Sequence, residues 1–457
     1  MRRVVWLTSF LLLVAVAVLV WVQVDRPPAV EVSALPTTIG RDVPLRFTVH
    51  SPGPGLERVW VVAQSGQNSW QVYEQRFERQ TWRGSGVERV DLEVAPDWPR
   101  MGIPEGPLVL QIWARTYGWH LRGHDRAPLW QHTLELDFTP PRVEVLTTQH
   151  NVRLGGVELA IWRQSPDAVR SGVEVERYFF PGYLGYFSDP QLALALFAVP
   201  QDLDPSVQAR VTAEDRAGNR TVVQLPVRVL ARRFAERTLL LDDEFLVRKV
   251  PEIEAANQLP ATGSLIDRYL RINRELRHQN EATLRELTRT SDPNPKWLTA
   301  FHRQSNAAPL SSFADRRTYV YRGHEIDRQV HLGFDLASIK ASPVEAAQNG
   351  RVVFAGNLGI YGNTVILDHG MGLFTLYGHL RSIDVPVGAT VKRGQTLGLT
   401  GETGLAAGDH LHFSVVLHGV HVDPVEWWDE GWIRKHLIAK LSPHRPMAAA
   451  SQDDLEQ

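Results

Sequence analysis

Histidine is unevenly distributed along this chain of 457 residues, and its densest stretch holds the residues that could do chemistry. Eight of the 17 histidines lie between His324 and His421. The chain has no cysteine, so a metal site must be built from histidine and carboxylate side chains. A single histidine in a strand is usually a surface or core residue, but several at regular spacings indicate a functional site.

One pair of these histidines lies in the stretch His410-Leu411-His412-Phe413. Alternate residues of a strand point to the same face, so His410 and His412 project together while Leu411 and Phe413 point the other way. Each imidazole has a donor and an acceptor that need partners, and keeping two rings side by side is costly without a task. We therefore expect one ring to bind a metal and its neighbour to face a substrate.

A second candidate pair, His331 and Asp335, is interrupted by Gly333. On a straight strand the two side chains would lie about 13 Å apart, whereas the bonds from a zinc ion to its ligands are about 2 Å long. Sharing an ion therefore requires a bend between them, and Gly333 is the residue that permits one.

A histidine, an aspartate and a second histidine make an open zinc set, which leaves the fourth position to water. Water on zinc ionises near neutral pH and becomes a nucleophile able to attack an amide carbonyl. Such a site also needs a base and a donor to the developing oxyanion. The candidates for those roles are His379, in Leu376-Tyr377-Gly378-His379-Leu380, and His410.

From His331 to about Trp428 the sequence resembles the LytM/lysostaphin-type metallopeptidase family (M23). The three motifs described above carry the resemblance, and their order and spacing resemble the family's as well. The spacers that match are Ser342–Val353, Gly362–Gly370 and Val391–Gly398. The resemblance implies a small, mostly antiparallel β-fold with an open groove. It also implies a zinc-dependent endopeptidase that hydrolyses peptide bonds in peptidoglycan cross-links or bridges.

Carried over residue by residue, the resemblance makes His331, Asp335 and His412 the ligands of one Zn²⁺ per chain. It makes His379 and His410 the catalytic pair that positions water and stabilises the tetrahedral intermediate. Peptidoglycan is then the expected partner, with the metal as the cofactor.

The sequence departs from the family's pattern at two positions. Asp409 stands where a proline is frequent, and Ser414 where an acidic residue is frequent; neither is a ligand, so they bear on groove polarity and substrate preference. Two other classes of protein stay open. One is a non-catalytic protein of the same fold that binds cell wall or activates another wall hydrolase, and the other is an adhesion or scaffold protein.

The remaining histidines of this stretch have simpler interpretations. We expect His369, His418 and His421 to be structural. His324 begins a sequence similar to a helical H-E-x-x-H zinc motif, but Arg328 stands where the second histidine must be.

The first residues favour a membrane anchor over residues 1–27. Arg2 and Arg3 precede an apolar run from Val4 to Val24, which has the roughly 20 residues that a membrane-spanning helix needs. The two arginines favour an N-terminus that stays inside. This predicts a single-pass protein of the cytoplasmic (inner) membrane, with most of the chain on the periplasmic or cell-wall side. A cleaved signal peptide is the alternative.

The rest of the chain must position the candidate site. Short alternating strands between turns predict β-sandwich-like domains over residues 28–138 and 139–231, the second similar to bacterial immunoglobulin-like domains. A period near 3.6 predicts a helical connector over 232–310, where Ser264 and Asp267 form a capping pair. The peptidase domain is expected over 311–430 and a tail over 431–457. The net charge of −2 argues against a nucleic-acid partner.

Overall fold

The computed structural model describes residues 2–23, 27–41, 43–118 and 126–444. The chain forms two compact units. The first comprises residues 1–141 with 167–169 and 214–221, and the second comprises 142–166, 170–213 and 222–457. The described chain is mostly β and ends in a β-rich domain, as the sequence predicts.

The first unit contains one helix, α1 (Arg2–Gln23), and eight strands within the described residues. The strands are β1 (Ala29–Val32), β2 (Thr38–Ile39), β3 (Leu45–His50), β4 (Leu56–Ser65), β5 (Asn68–Arg76), β6 (Arg89–Val94), β7 (Gly106–Thr116) and β8 (Trp130–Leu136). They form a sheet of order β1-β3-β6 and a sheet of order β2-β8-β7-β4-β5. Alternate residues of β3, β4 and β7 are buried in one shared core, because period-two patterning places one apolar face of each sheet inward.

Crossing a bilayer requires about 20 predominantly apolar residues in one helix. Within α1 the structure describes the side chains of Trp6 and of residues 9–18, and among the described residues no helix is long and apolar enough to cross a membrane. The transmembrane helix and membrane contact predicted for residues 1–27 are therefore not supported.

The second unit begins with nine strands. They are β9 (Val143–Val145), β10 (His150–Arg153), β11 (Val157–Gln164), β12 (Arg170–Val175), β13 (Tyr178–Pro181), β14 (Leu192–Ala198), β15 (Ala209–Glu214), β16 (Arg220–Leu225) and β17 (Val227–Leu230). The sheets have the orders β14-β11-β9 and β13-β12-β15-β16, and β10 pairs with β17 in parallel.

A strand and three helices follow. They are β18 (Glu236–Leu241), α2 (Asp243–Asn257), α3 (Leu265–Arg271) and α4 (Arg277–Leu287), with a π-helical turn at Ile272–Leu276 between the last two. Ser264 and Asp267 form the expected capping box at the start of α3.

The C-terminal part of this unit is built on strands and ends in short helices. The strands are β19 (Ala308–Ser311), β20 (Asp315–Tyr321), β21 (His324–His331), β22 (Phe334–Ala337), β23 (Pro343–Glu345), β24 (Gly350–Asn357), β25 (Asn363–Asp368), β26 (Leu373–Leu380), β27 (Ser382–Ile383), β28 (Thr390–Val391), β29 (Thr396–Leu399), β30 (Leu411–Leu417) and β31 (Val420–Val422). A 3₁₀ turn lies at Gly359–Tyr361. The helices are α5 (Pro424–Trp428), α6 (Glu430–Trp432) and α7 (Ala439–Leu441), with a π-helical stretch at Ile433–Ile438.

An eight-stranded sheet of order β19-β22-β30-β26-β25-β24-β28, with β31 added beside β30, dominates this part. Its pairings are antiparallel. Every residue of β26 and β30 is buried, because both faces of the sheet are covered.

The two faces of that sheet pack against different partners. Phe374, Leu376 and Val416 share a core with helices α2 to α4. Leu373 and Val415, on the opposite face, share a core with strands β11 and β14 and with the C-terminal helices. The predicted connector is thus a layer of the packed structure, and it supplies one covering of the sheet.

Candidate metal centre and catalytic site

Three side chains meet at the edge of the eight-stranded sheet. His331 Nε2 and His412 Nδ1 each lie 3.0 Å from Asp335 Oδ1, and the two nitrogens lie 3.1 Å from each other. All three residues are buried. The structure therefore brings together the three residues predicted as ligands.

The strand order explains how residues far apart in sequence meet. Asp335 on β22 is directly paired with His412 on β30, so the two side chains share a face. Strand β21 ends at His331 and β22 begins at Phe334, so the chain bends between the first histidine and the aspartate. A side chain at Gly333 would place its Cβ 2.4 Å from the His412 ring. Glycine is therefore required by the close approach of His412.

Hydrogen bonds on the far side of each ligand fix which atom faces the centre. His331 Nδ1 donates to Ser312 O at 3.0 Å, which leaves Nε2 with a free lone pair. Ser414 Oγ donates to Leu332 O, so it accepts from His412 Nε2 at 2.9 Å and leaves Nδ1 inward. Such outer partners orient metal-binding histidines and select their tautomers.

This donor set fits a zinc ion. The ligand atoms of His331, Asp335 and His412 lie within 4.8 Å of one another, and their free lone pairs converge. Two imidazoles and one carboxylate are ligands that zinc accepts in open, catalytic sites.

His379 and His410 lie beside this cluster, with ring centroids 4.8 Å apart. His379 Nδ1 donates to Thr403 O at 2.8 Å, and His410 Nδ1 donates to Gly408 O at 2.7 Å. Both Nε2 atoms are thereby left for other partners. His379 has a φ of +63°, a strained conformation for a residue other than glycine, and such strain is concentrated at functional sites.

Burial and neighbouring charges shift the pKa values of the residues in this cluster in different directions. Burial, then the nearby His410 and His412, hold the pKa of His379 well below its usual range. Burial lowers the pKa of His412 to about 4. Burial would lower the pKa of His410 too, but its contact with Asp335 outweighs this and raises it. Although burial alone would raise the pKa of Asp335, its contacts with His331, His410 and His412 hold it well below the usual range.

The five residues line one cavity of about 710 Å³. Its other walls come from β18 to β20, from α2 to α4, from the 3₁₀ turn and from the loop before His410. They include Leu240, Phe245, Arg248, Tyr269, Arg277, Tyr361 and Leu405. Helix α2 also contacts that loop. Arg248 forms an ion pair with Glu402 at 3.2 Å, and the buried Lys249 donates to the Glu402 carbonyl.

The histidines predicted to be structural lie away from this cluster. His369 is fully buried between Asn349 O and Thr375 Oγ1. His421 contacts Glu281 at 3.0 Å, and the His418 ring stacks on Tyr183 of the sandwich.

Sequence reasoning missed Arg317, whose Nη2 donates to Asp335 Oδ2 at 3.0 Å. It also missed the carbonyls of Ser312 and Thr403 as partners of His331 and His379. No local pattern marks these three. Ser414 was open to detection, because it follows His412 by two residues on one strand and so shares its face.

Comparison with known proteins shows which family this part of the chain resembles. Residues 329–424 match the model of Peptidase family M23. The "DD-carboxypeptidase/endopeptidase Mpg" of Neisseria meningitidis is 36% identical over 122 residues, which are 26% of this chain and 28% of that protein. The "Peptidoglycan DD-endopeptidase ShyA" of Vibrio cholerae is 31% identical over 166 residues, 36% of this chain and 35% of that protein. The similarity thus spans about a third or less of these relatives.

Among solved structures, a putative peptidase M23 from Pseudomonas aeruginosa aligns with 60% of this chain and 94% of its own. The TM-score is 0.38 and the sequence identity is 22%. The chain contains a Peptidase family M23 domain over residues 329–424.

Proposed function

We propose that the chain is a zinc-dependent endopeptidase that hydrolyses peptide bonds in the cross-links or bridges of peptidoglycan. The observation that carries the proposal is the convergence of His331, Asp335 and His412 in a cavity that also holds His379 and His410. The M23 match and the two relatives, a DD-carboxypeptidase/endopeptidase and a peptidoglycan DD-endopeptidase, support the reaction class and the substrate.

His331, Asp335 and His412 would hold one Zn²⁺ through the nitrogen and oxygen atoms that converge between them. When bound, the ion supplies Lewis acidity, which lowers the pKa of water and polarises an amide carbonyl. The protein contributes a set of ligands already in place, with each histidine fixed in the required tautomer.

His379 and His410 divide the proton chemistry. His379 is neutral because its pKa is low, and its Nδ1–H is occupied by Thr403 O, so Nε2 can accept a proton from the attacking water. The Nδ1–H of His410 is occupied by Gly408 O, so His410, when protonated, can donate its Nε2–H to the oxyanion of the tetrahedral intermediate and then to the leaving amine. A neutral ring and a protonated ring beside the proposed centre suit paired base and acid roles.

The proposed substrate also implies a location. Peptidoglycan lies outside the cytoplasmic membrane, so the M23 domain would act on the periplasmic or cell-wall side.

Digestion of purified peptidoglycan tests the proposal. The full chain, loaded with one equivalent of Zn²⁺, is incubated with cross-linked wall, and the released fragments are identified by mass. Loss of cross-linked dimers with a matching gain of monomeric peptides is the expected result, and a chelator should abolish it. Wall binding without new fragments would instead support the non-catalytic alternative.

A further inference from the structure

Arg317 touches the proposed centre from outside the M23 match. It lies on β20, the central strand of a sheet of order β18-β20-β21. Its Nη2 donates to Asp335 Oδ2 at 3.0 Å, and the two side chains are 17% and 9% exposed. The other oxygen, Oδ1, is the atom that meets His331 and His412. The two oxygens of Asp335 therefore have separate partners.

The polar contacts of Arg317 are concentrated on this carboxylate. Within the described part of the chain, Arg317 is the one hydrogen-bond donor to Asp335 Oδ2. The buried Nε of Arg317 makes no hydrogen bond there, although buried donors are rarely left unpaired. Among the described residues, Asp335 is therefore the one acceptor that explains the position of the guanidinium.

The backbone around Arg317 is held on both sides. Arg317 pairs with Arg237 of β18 and with Gln329 of β21. The start of the same segment also holds His331, because Ala314 N donates to His331 O at 2.8 Å and Ser312 O accepts from its ring. Residues 312–317 thus contact two of the three proposed ligands.

We infer that Arg317 is a positioning residue, which fixes the Asp335 carboxylate so that Oδ1 faces the space between His331 and His412. This inference rests on the metal site of the proposed function. A free carboxylate rotates about its Cβ–Cγ bond, and tying one oxygen to a guanidinium removes that freedom. Removing such an outer partner typically costs roughly 10- to 100-fold in metal affinity.

The test compares Arg317→Met with Arg316→Met in the full chain. Arg316 is exposed on the opposite face of the same strand, so its variant controls for the loss of an arginine at this place. Zinc dissociation constants are measured by competition with a chromogenic chelator, and folding is checked by thermal melting. The d–d spectrum of bound Co²⁺ reports the coordination geometry, which a purely structural role would leave unchanged.

We expect R317M to raise the zinc dissociation constant roughly 10- to 100-fold and to alter the Co²⁺ spectrum, while R316M matches the parent. A folded R317M with the zinc affinity and Co²⁺ spectrum of R316M would overturn the inference. If R317M does not fold, Arg317→Lys decides, because lysine keeps the charge but loses the planar fork. If R317K binds zinc about threefold or more weakly than the parent, the inference is supported; if its zinc affinity equals that of R316M, the inference is overturned. A parent protein that binds no zinc would refute the proposed function itself.

Discussion

Asp335 and Glu158 are two buried carboxylates of the second unit that have histidine partners, and the number and type of these partners separate a candidate metal centre from a structural contact. Asp335 Oδ1 lies 3.0 Å from both His331 Nε2 and His412 Nδ1. Glu158, which is 1% exposed, lies 2.6 Å from Lys440 through Oε1 and 3.2 Å from His436 through Oε2. Asp335 has two imidazoles on one oxygen and Arg317 on the other, whereas Glu158 has one imidazole on one oxygen and a lysine on the other.

The difference shows what makes a metal site. Around Asp335 two lone pairs converge with the carboxylate beside a cavity, so a cation completes the arrangement. Around Glu158 one of the two basic partners is a protonated lysine, which has no lone pair to offer a metal, so a single imidazole remains. A buried carboxylate beside a histidine is therefore no metal site by itself. The four predictions that follow test this distinction, from the largest expected effect to the smallest.

His412→Ala should abolish both stoichiometric zinc and peptidoglycan hydrolysis, because it removes one of three ligands and an open site has none to spare. His436→Ala is the matched control, since it removes a histidine from the other carboxylate. Zinc is counted by metal analysis after dialysis. Full zinc occupancy in H412A would refute the ligand assignment.

His379→Ala and His410→Ala should keep zinc and lose most turnover. Losing a single donor to the oxyanion costs about 10²–10³ in rate, and loss of a general base has a comparable effect. The measurement is the initial rate at saturating wall with zinc content determined on the same samples. A variant within about threefold of the parent rate would have no place in the mechanism.

Glu158→Gln should lower stability and leave zinc binding unchanged. Removing one partner of a buried ion pair typically costs about 3–5 kcal/mol, because the other charge is left without compensation. Denaturant unfolding and chelator competition measure the two quantities. A change in zinc affinity as large as that of R317M would mean that the two carboxylates are not independent.

Glu426→Gln should change how stability depends on pH. Burial raises the pKa of the Glu426 carboxyl from 4.5 to about 8, although Val157 N donates to it. A raised pKa means that stability is fully present below pH 4.5 and is lost as the pH rises through about 8. E426Q should therefore melt at the parent's temperature near pH 4.5 and a few degrees above it near pH 9.

The comparison variant here is the parent protein at the same pH values, because the glutamine retains the acceptor for Val157 N. Equal melting temperatures at both ends of the range would show that Glu426 does not release its proton in this window.

Local patterns, together with the resemblance to the M23 family, predicted the residues that gather at the candidate centre. Because alternate residues of a strand share a face, the sequence placed His410 and His412 together. Because His331 and Asp335 could share an ion only if the chain bends, the sequence also predicted the bend between them. The Ser264 capping box was likewise visible, because it depends on residues three positions apart.

Long-range pairing was beyond local patterns. Strand β18 pairs with β20 across a separation of about 80 residues. The sequence analysis predicted a helical connector over residues 232–310, where β18 lies. Arg317 reaches Asp335 from a different sheet, so no spacing rule connects them. The positive φ of His379 is set by its surroundings, since nothing in its own sequence favours a left-handed conformation.

The layer formed by β18 and helices α2 to α4 bears on the smallest fragment that would keep the candidate site complete. The family match runs from 329 to 424, but β21 begins at His324 and its sheet begins with β18 at Glu236. A fragment cut to the matched segment would lack Ser312, Arg317 and the apolar partners of Phe374 and Leu376. The fragment that retains these contacts is therefore larger than the segment that sequence comparison recognises, and it includes helices that contribute no ligand.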